Sequence, residues 1–365
     1  MLKFDLKNKL HFALMAAFLL ILPLVLQGAG NFWVRIADMA LLYVLLALGL
    51  NIVVGFAGLL DLGFVAFFAV GAYMYGLLAS PHLFETFAWI KSAFPNGLHT
   101  PIWLIVPAAA LLAGAFGVLL GAPTLKLRGD YLAIVTLGFG EIIRVFMNNL
   151  DHPINITNGP KGLILIDPMN FFGYSFGKGI EIFGYKIGSL VMYYYLFMAL
   201  VIISVIVCHR LELSRIGRAW MAIREDEIAA KAMGINTRNM KLLAFGMGAT
   251  FGGVSGSMFA AFQGFISPES FSLMESIMIV AMVVLGGLGH LPGVILGALL
   301  LSALPEVLRW VSGALDLQAL TGGRIDAAIL RQLLIALAMI TIMLMRPRGL
   351  WPSPDHGKSL QNAAK

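Results

Sequence analysis

The segment IADMALLYVLLALGLNIVVG, residues 36–55, decides the fold class of this protein. It is a run of mostly apolar residues with the length, about 20 residues, that an α-helix needs to cross the hydrocarbon core of a bilayer. Lipid offers no hydrogen-bond partner to backbone N–H and C=O groups, so a segment of this kind crosses as a helix. The sequence therefore predicts a transmembrane helix here.

Nine further segments share this length and composition. Apolar residues make up 59% of the chain and charged residues 12%, roughly half of what a soluble domain carries. We therefore predict an all-α polytopic integral membrane protein with about ten transmembrane helices. An uncleaved first span is favoured over a signal peptide, because no small-x-small cleavage site follows it. The expected spans are 11–28, 36–55, 63–80, 102–122, 130–149, 190–208, 242–264, 274–290, 293–312 and 328–345.

The third expected span, 63–80, is the weakest of the ten. The stretch GFAGLLDLGFVAFFAVGAY, residues 55–73, carries several glycines and Asp61. Glycine and a buried carboxylate are tolerated at membrane depth where a helix is broken and lines protein or a cavity. A broken or re-entrant helix is therefore as good an interpretation as a complete span.

The distribution of lysine and arginine indicates the orientation. Most of the 25 basic residues fall in four segments that ten spans place on one side, which the positive-inside rule makes the cytoplasm. Both termini are then cytoplasmic, and residues 1–350 form a single transmembrane domain. The formal charge of +6 reflects this topology and not nucleic-acid binding. The basic segments are 1–10, 123–129, the long cytoplasmic loop 209–241, and 346–365, which includes a cytoplasmic tail at 351–365.

The loops also differ in composition. Segment 151–189 is the long outer loop, rich in Gly, Pro and Asn, and we expect an ordered external loop or small cap there. Glycines recur inside the spans at small-xxx-small spacing, for example Gly248, Gly252 and Gly256. This spacing favours close helix packing, with a hinge or a pathway lining as the alternative.

Patterns typical of catalysis are missing from the sequence. The stretch HGKSL, residues 356–360, lacks the glycine spacing of a phosphate-binding loop, and neither HExxH nor GxSxG occurs. The single cysteine, Cys208, forms no internal disulfide. We therefore expect no catalytic residue, no metal and no cofactor, and an intramembrane enzyme is disfavoured.

Ionisable residues at membrane depth are candidates for the translocation path, because their burial is costly. Glu141 and Arg144 lie three residues apart on one helix and are expected to pair. The pair fits either a structural ion pair or the border of the path. Asp61, near the inner end of its span, is the third candidate and is expected to reach water.

The stretch REDEIAAKAMG, residues 224–234, is the most charged short run in the chain. Acidic residues in a first turn, Lys231 in the last turn and Gly234 as a left-handed cap predict one helix of about nine residues. A helix this short depends on docking against something. It is either a solvated loop helix or a lever pushed by a cytoplasmic partner.

Several blocks resemble the M-type permease subunit of the bacterial branched-chain amino-acid ABC importer. They are GLNIVVGFAGLLDLGFVAFFAVGAY, LRGDYLAIVTLGFGEIIRVFMNN, GRAWMAIREDEIAAKAMGIN, FQGFISPESF and RPRGL, between residues 49 and 350. In this family the loop helix carries an EAA-xxx-G pattern, which Ala229, Ala230 and Gly234 match while Ile228 replaces the glutamate. The coupling residues that the resemblance and the helix together indicate are Arg218, Arg224, Glu225, Asp226, Glu227, Ala229, Ala230 and Gly234.

The resemblance implies a subunit of the bacterial inner membrane with four kinds of partner. These are a second permease of the H type, two cytoplasmic ATPase subunits, a periplasmic binding protein and the lipid bilayer. ATP hydrolysis belongs to the separate subunits, so the chain is a transport subunit and not an enzyme. The alternatives are a permease for urea or short amides, and a stand-alone secondary transporter.

Overall fold

Helices dominate the computed structural model of this protein. The structure describes residues 6–94, 98–124, 127, 129–171, 174–182, 185–314, 333, 336–337, 340–341, 344–345 and 349–351. The helices of these residues are α1 Leu6–Ala29, α2 Asn31–Leu50, α3 Val65–Leu78, α4 His82–Thr86, α5 Ala88–Ala93, α6 Ile102–Thr124, α7 Asp130–Asn149, α8 Ser189–Leu213, α9 Arg215–Glu225, α10 Glu227–Ala232, α11 Thr237–Gln263, α12 Leu273–Gly286 and α13 Leu291–Ala314.

Six helical segments among the described residues are long and apolar enough to cross a membrane. The protein is therefore a multi-pass membrane protein, as predicted. The expected span 328–345 and the tail 351–365 fall largely outside the described residues, so the count of ten spans stays a prediction. The six segments are Asn31–Phe56, Ile102–Thr124, Ser189–Leu213, Thr237–Gln263, Pro268–Gly286 and Leu291–Trp310.

Helices α2 and α11 form the centre of the bundle. Their apolar segments are mostly buried, whereas α6 and α8 turn many apolar side chains outward, including Leu111, Leu119 and Ile203. Outward apolar side chains fit contact with lipid tails. Helices α2 and α11 are therefore the most buried of the long helices in the described part of the chain.

The glycine spacing of α11 reflects close packing. A Cβ atom at Gly248 would lie 2.4 Å from Val53 Cγ2, and one at Gly256 would lie 2.0 Å from the carbonyl oxygen of Phe68. Both distances are far below van der Waals contact, so only glycine allows α11 to approach α2 and α3 this closely. The packing interpretation of the small-xxx-small pattern is confirmed.

The third expected span is broken. Helix α2 continues into a π-helical turn at Asn51–Phe56, residues 57–64 are not regular helix, and α3 resumes at Val65–Leu78. At 1.5 Å per residue α3 is about 21 Å long, which is shorter than the hydrocarbon core. The broken-helix alternative of the sequence analysis is therefore the correct one.

The segment 151–189 contains the strands of the described residues. It carries a 3₁₀ turn at Gly159–Lys161 and two antiparallel hairpins. An isolated bridge between Leu163 and Ile266 joins it to the end of α11. The described part of 151–189 thus carries ordered structure, its outer location stays a prediction, and the all-α prediction needs this small β addition. The strands are β1 Asn170–Phe171, β2 Tyr174–Ser175, β3 Ile180–Ile182 and β4 Tyr185–Ile187.

Candidate functional site

The charged stretch at 224–234 is divided between two helices. Helix α9 ends at Glu225, and Asp226 then caps α10 by accepting hydrogen bonds from the backbone N–H groups of Ile228 and Ala229, at 2.8 and 3.0 Å. The single nine-residue helix expected from the sequence is therefore wrong at its N-terminal end. Asp226 has extended backbone angles, which suit a capping residue and interrupt a helix.

The C-terminal end of α10 is as predicted. Gly234 has a φ angle of 88°, the left-handed conformation that glycine adopts without strain. Its N–H donates to the carbonyl oxygen of Lys231 at 3.1 Å, and Ile235 N–H donates to that of Ala230 at 3.1 Å. Helix α10 is thus a six-residue element closed at both ends. We name α9 and α10 together, residues 215–234, the coupling segment.

Helix α9 is fixed to the membrane helices by Trp220. This side chain is fully buried, and its indole N–H donates a hydrogen bond to the carbonyl oxygen of Met240 at 2.7 Å. Ser214 caps the start of α9 by accepting from Gly217 N–H at 3.1 Å. An anchored indole and a satisfied cap hold the helix in one position.

Helix α10 is joined to α11 by an ion pair. Lys241 Nζ lies 2.7 Å from Glu227 Oε1, and the lysine side chain is only 6% exposed. Glu227 precedes Lys231 by four positions on α10, but its ion-pair partner is a lysine on the next helix. A nearly buried ammonium needs a counter-charge, so this pair ties α10 to the bundle.

Arg224 connects the coupling segment to the break in the membrane helices. Its guanidinium Nη1 donates a hydrogen bond to the carbonyl oxygen of Gly55, in the π-helical turn after α2. Partial burial lowers the pKa of Arg224, and the neighbouring Glu225 opposes this effect. The group nevertheless remains a cation at neutral pH.

Two further glycines make room for this arginine. A Cβ atom at Gly58 would lie 2.7 Å from Arg224 Cγ, and one at Gly289 would lie 2.8 Å from Nη1. The N–H of Gly289 in turn donates to Asn51 Oδ1 at 2.9 Å. Arg224 therefore lies where the broken helix and the turn between α12 and α13 meet.

Most of the remaining predicted coupling residues lie on the exposed face of the segment. Arg218 is exposed and donates to the carbonyl oxygen of Leu213 at 3.1 Å. Glu225 and Ala229 are exposed, while Ala230 is buried against the bundle. The apolar side chains of Ile228 and Met233 are 70% and 84% exposed. The exposed side of α10 and its C-cap thus carries two uncovered apolar side chains beside Lys231.

Glu141 and Arg144 form the predicted pair. Arg144 Nε lies 3.0 Å from Glu141 Oε2, and its Nη1 lies 3.1 Å from Glu269 Oε1. Glu269 belongs to the FQGFISPESF stretch and was not a candidate. The arginine therefore bridges α7 and the turn before α12. Whether this pair lines the translocation path is not tested by these contacts, so that role stays a prediction.

Asp61 does not reach water, contrary to the sequence-based expectation. It is 1% exposed and accepts a hydrogen bond from Gly63 N–H at 2.8 Å. Its Oδ2 atom has no hydrogen-bond partner among the described residues. It shares a cavity of about 10 Å³ with Thr136, far from the Arg144 cluster along the α7 helix. The three path candidates therefore do not form one cluster.

Sequence reasoning missed Asp38 and Lys241. Asp38 is fully buried in α2, and neither of its oxygens has a hydrogen-bond partner among the described residues. It lies inside the segment that decided the fold, and its carboxylate was the signal that marks a candidate at membrane depth. Lys241 was treated as a marker of topology, because its partner Glu227 is 14 positions away.

Comparisons with known proteins agree with this architecture. The family model described as "Branched-chain amino acid transport system / permease component" matches residues 32–343. The permease protein LivM of the high-affinity branched-chain amino acid transport system of Escherichia coli (strain K12) is 39% identical over 363 residues. That match covers 94% of this chain and 77% of the relative.

Two Salmonella proteins are also similar. LivM of Salmonella typhimurium is 40% identical over 332 residues, with 87% of this chain and 70% of the relative covered. The permease protein LivH of the same organism is 26% identical over 265 residues, with 71% and 79% covered. No solved structure matches the chain significantly. The protein belongs to the family of permease components of branched-chain amino acid transport systems.

Proposed function

We propose that this chain is the M-type permease subunit of an ATP-driven, binding-protein-dependent importer of branched-chain amino acids. It forms half of a transmembrane path in the bacterial inner membrane, with an H-type permease as the other half. Two cytoplasmic ATPase subunits dock on the coupling segment, and a periplasmic binding protein delivers the amino acid. The similarity to both LivM and LivH proteins supports a paired permease.

The single observation that carries this proposal is the contact of Arg224 with Gly55. This contact joins the coupling segment, which exposes apolar side chains, to the π-helical turn where the membrane helix is broken. A push on α10 is transmitted to α2 and to the turn at Gly289 through groups already in contact. Movement at such a break changes the path that the helices enclose.

The topology is part of the proposal. Ten spans with both termini in the cytoplasm place the coupling segment inside and the hairpin segment outside. We expect an impermeant maleimide to label Lys161→Cys in intact cells, and to label Lys231→Cys only after the membrane is opened. Cys208 is buried, and its replacement by serine removes the background thiol. Labelling of both positions from outside would contradict the topology.

The function is tested by reconstitution with the four partner subunits. We expect uptake of labelled leucine that requires ATP and the binding protein, and that valine and isoleucine reduce by competition. Competition by urea but not by valine would show the short-amide permease instead. Uptake driven by an ion gradient without the ATPases would show a secondary transporter.

A further inference from the structure

A cavity of about 450 Å³ lies between α2, α12 and α13, next to the end of α11. Its lining includes Arg35 and Tyr43 from α2, Glu275 from α12 and Arg309 from α13. A second cavity of about 230 Å³ also has Tyr43 and Glu275 in its lining, so the two adjoin. Small-molecule sites in proteins occupy about 300–1,000 Å³. We name the first the outer cavity and the second the inner cavity.

The mouth of the outer cavity is far from the coupling segment. Arg35 lies near the start of α2, and Gly55, which contacts Arg224, follows 20 positions later. A helix of that length spans about 30 Å. In the proposed topology the outer cavity therefore faces the side from which the amino acid enters.

The polar groups of the cavities carry both signs of charge. The Tyr43 hydroxyl donates a hydrogen bond to Glu275 Oε2 at 3.0 Å. Arg35 is exposed at the mouth, where it donates to Gln263 Oε1 at 2.8 Å. A fixed carboxylate thus lies deeper than an oriented guanidinium.

The second guanidinium completes this arrangement. Arg309 pairs with Glu306 and lies over the ring of Phe32, 5.1 Å from its centroid. Besides Glu275 and Tyr43, the inner cavity is lined mostly by apolar side chains, among them Leu42 and Phe68, with Gln263 and Ser270 as further polar groups. A molecule that enters therefore meets two guanidinium groups, one of them paired with Glu306, then the Glu275 carboxylate, and finally a mostly apolar wall.

We propose that the two cavities form a binding site within the permease for an α-amino acid with an aliphatic side chain. The ammonium group is bound by Glu275, the carboxylate by Arg35 and Arg309, and the aliphatic side chain enters the inner cavity. The inference rests on the proposed function, which supplies the class of substrate. It adds a site in this chain, separate from the site of the binding protein.

Other occupants fit the lining less well. A lipid tail would leave the Glu275 carboxylate without a counter-charge, which is costly at membrane depth. An inorganic cation would find the carboxylates of Glu275 and Glu306, but the two guanidinium groups oppose it and the apolar wall offers it no ligand. A zwitterion with an apolar side chain satisfies the carboxylate, the guanidinium groups and the apolar wall together.

The test uses the complete transporter in nanodiscs without the binding protein, with labelled leucine as the probe. Leucinamide lacks the carboxylate, and 4-methylpentanoate lacks the ammonium group. We expect each to compete at least about tenfold more weakly than leucine, because each leaves a charged group of the site unpaired. Glu275→Gln should weaken leucine binding about tenfold and remove the preference for leucine over 4-methylpentanoate.

The controls separate this site from effects on folding. Glu85→Gln removes an exposed carboxylate outside the cavities and should bind leucine as wild type does. Tyr43→Phe keeps the shape, removes the hydroxyl that holds Glu275, and should weaken leucine binding without changing size-exclusion behaviour. Unchanged binding and unchanged analogue preference in both cavity variants would overturn the proposal.

Failure of the binding-site proposal can be distinguished from failure of the proposed function. If the wild-type transporter with its binding protein takes up no leucine, the proposed function fails. If uptake is normal and Glu275→Gln leaves both the KM of transport and the analogue preference unchanged, only the binding site is wrong.

Discussion

The guanidinium of Arg224 donates a hydrogen bond to the backbone carbonyl oxygen of Gly55. The two residues are 169 positions apart and belong to different parts of the molecule, the coupling segment and the π-helical turn that ends α2. A π-helical turn leaves carbonyl groups without their usual partners and commonly marks a functional site. This contact links the coupling segment to the broken helix.

The ion pair of Glu227 and Lys241 should hold α10 in its docked position. Replacing Glu227 with lysine sets two cations together and should cost about 2 kcal/mol of docking free energy. We expect membrane insertion to persist and ATP hydrolysis to lose its coupling to uptake. The exchanged pair Glu227→Lys with Lys241→Glu should recover part of the coupling. No recovery in the double variant would show that the pair does not act as a unit.

Asp226 should control the stability of α10. The helix has six residues, too few for stability alone, and its cap accepts two backbone hydrogen bonds. Asp226→Ala should cost about 1 kcal/mol and speed amide exchange at 228–233. Glu225→Ala removes an adjacent exposed carboxylate and is the matched control. Equal exchange in the two variants would argue against a capping role.

Gly256 should tolerate no side chain. A Cβ atom there would lie 2.0 Å from the carbonyl oxygen of Phe68, so Gly256→Ala should force α3 and α11 apart at a cost of about 1–3 kcal/mol. Thermal unfolding in detergent measures the loss. Gly138→Ala on α7 has no atom within 4 Å and should leave stability unchanged or raised. A stable Gly256→Ala protein would contradict the packing described.

Local sequence signals predicted much of this structure. Apolar length predicted the membrane class, glycine spacing predicted the close packing of α11, and three-residue spacing predicted the pair of Glu141 and Arg144. These features depend on helix geometry alone. Asp226 is also a residue type that commonly caps a helix N-terminus, but the sequence analysis placed it in the first turn of the helix.

Contacts between distant segments were not predictable in this way. Lys241 pairs with Glu227, and Glu275 faces Tyr43, because packing brings different helices together. A single sequence contains no periodicity that relates such positions. The contact of Arg224 with Gly55 is of the same kind. It depends on the π-helical turn after α2, where the Gly55 carbonyl oxygen accepts a hydrogen bond from a residue of the coupling segment.

The most direct test of the central claim compares Arg224→Ala with Arg218→Ala in the reconstituted transporter. Both remove an arginine from α9, but only Arg224 contacts the broken helix. The measurement is leucine transported per ATP hydrolysed. We expect Arg224→Ala to lower this ratio about tenfold, as loss of a charged hydrogen bond predicts, while hydrolysis continues and Arg218→Ala stays near wild type. An unchanged ratio in Arg224→Ala would contradict the account.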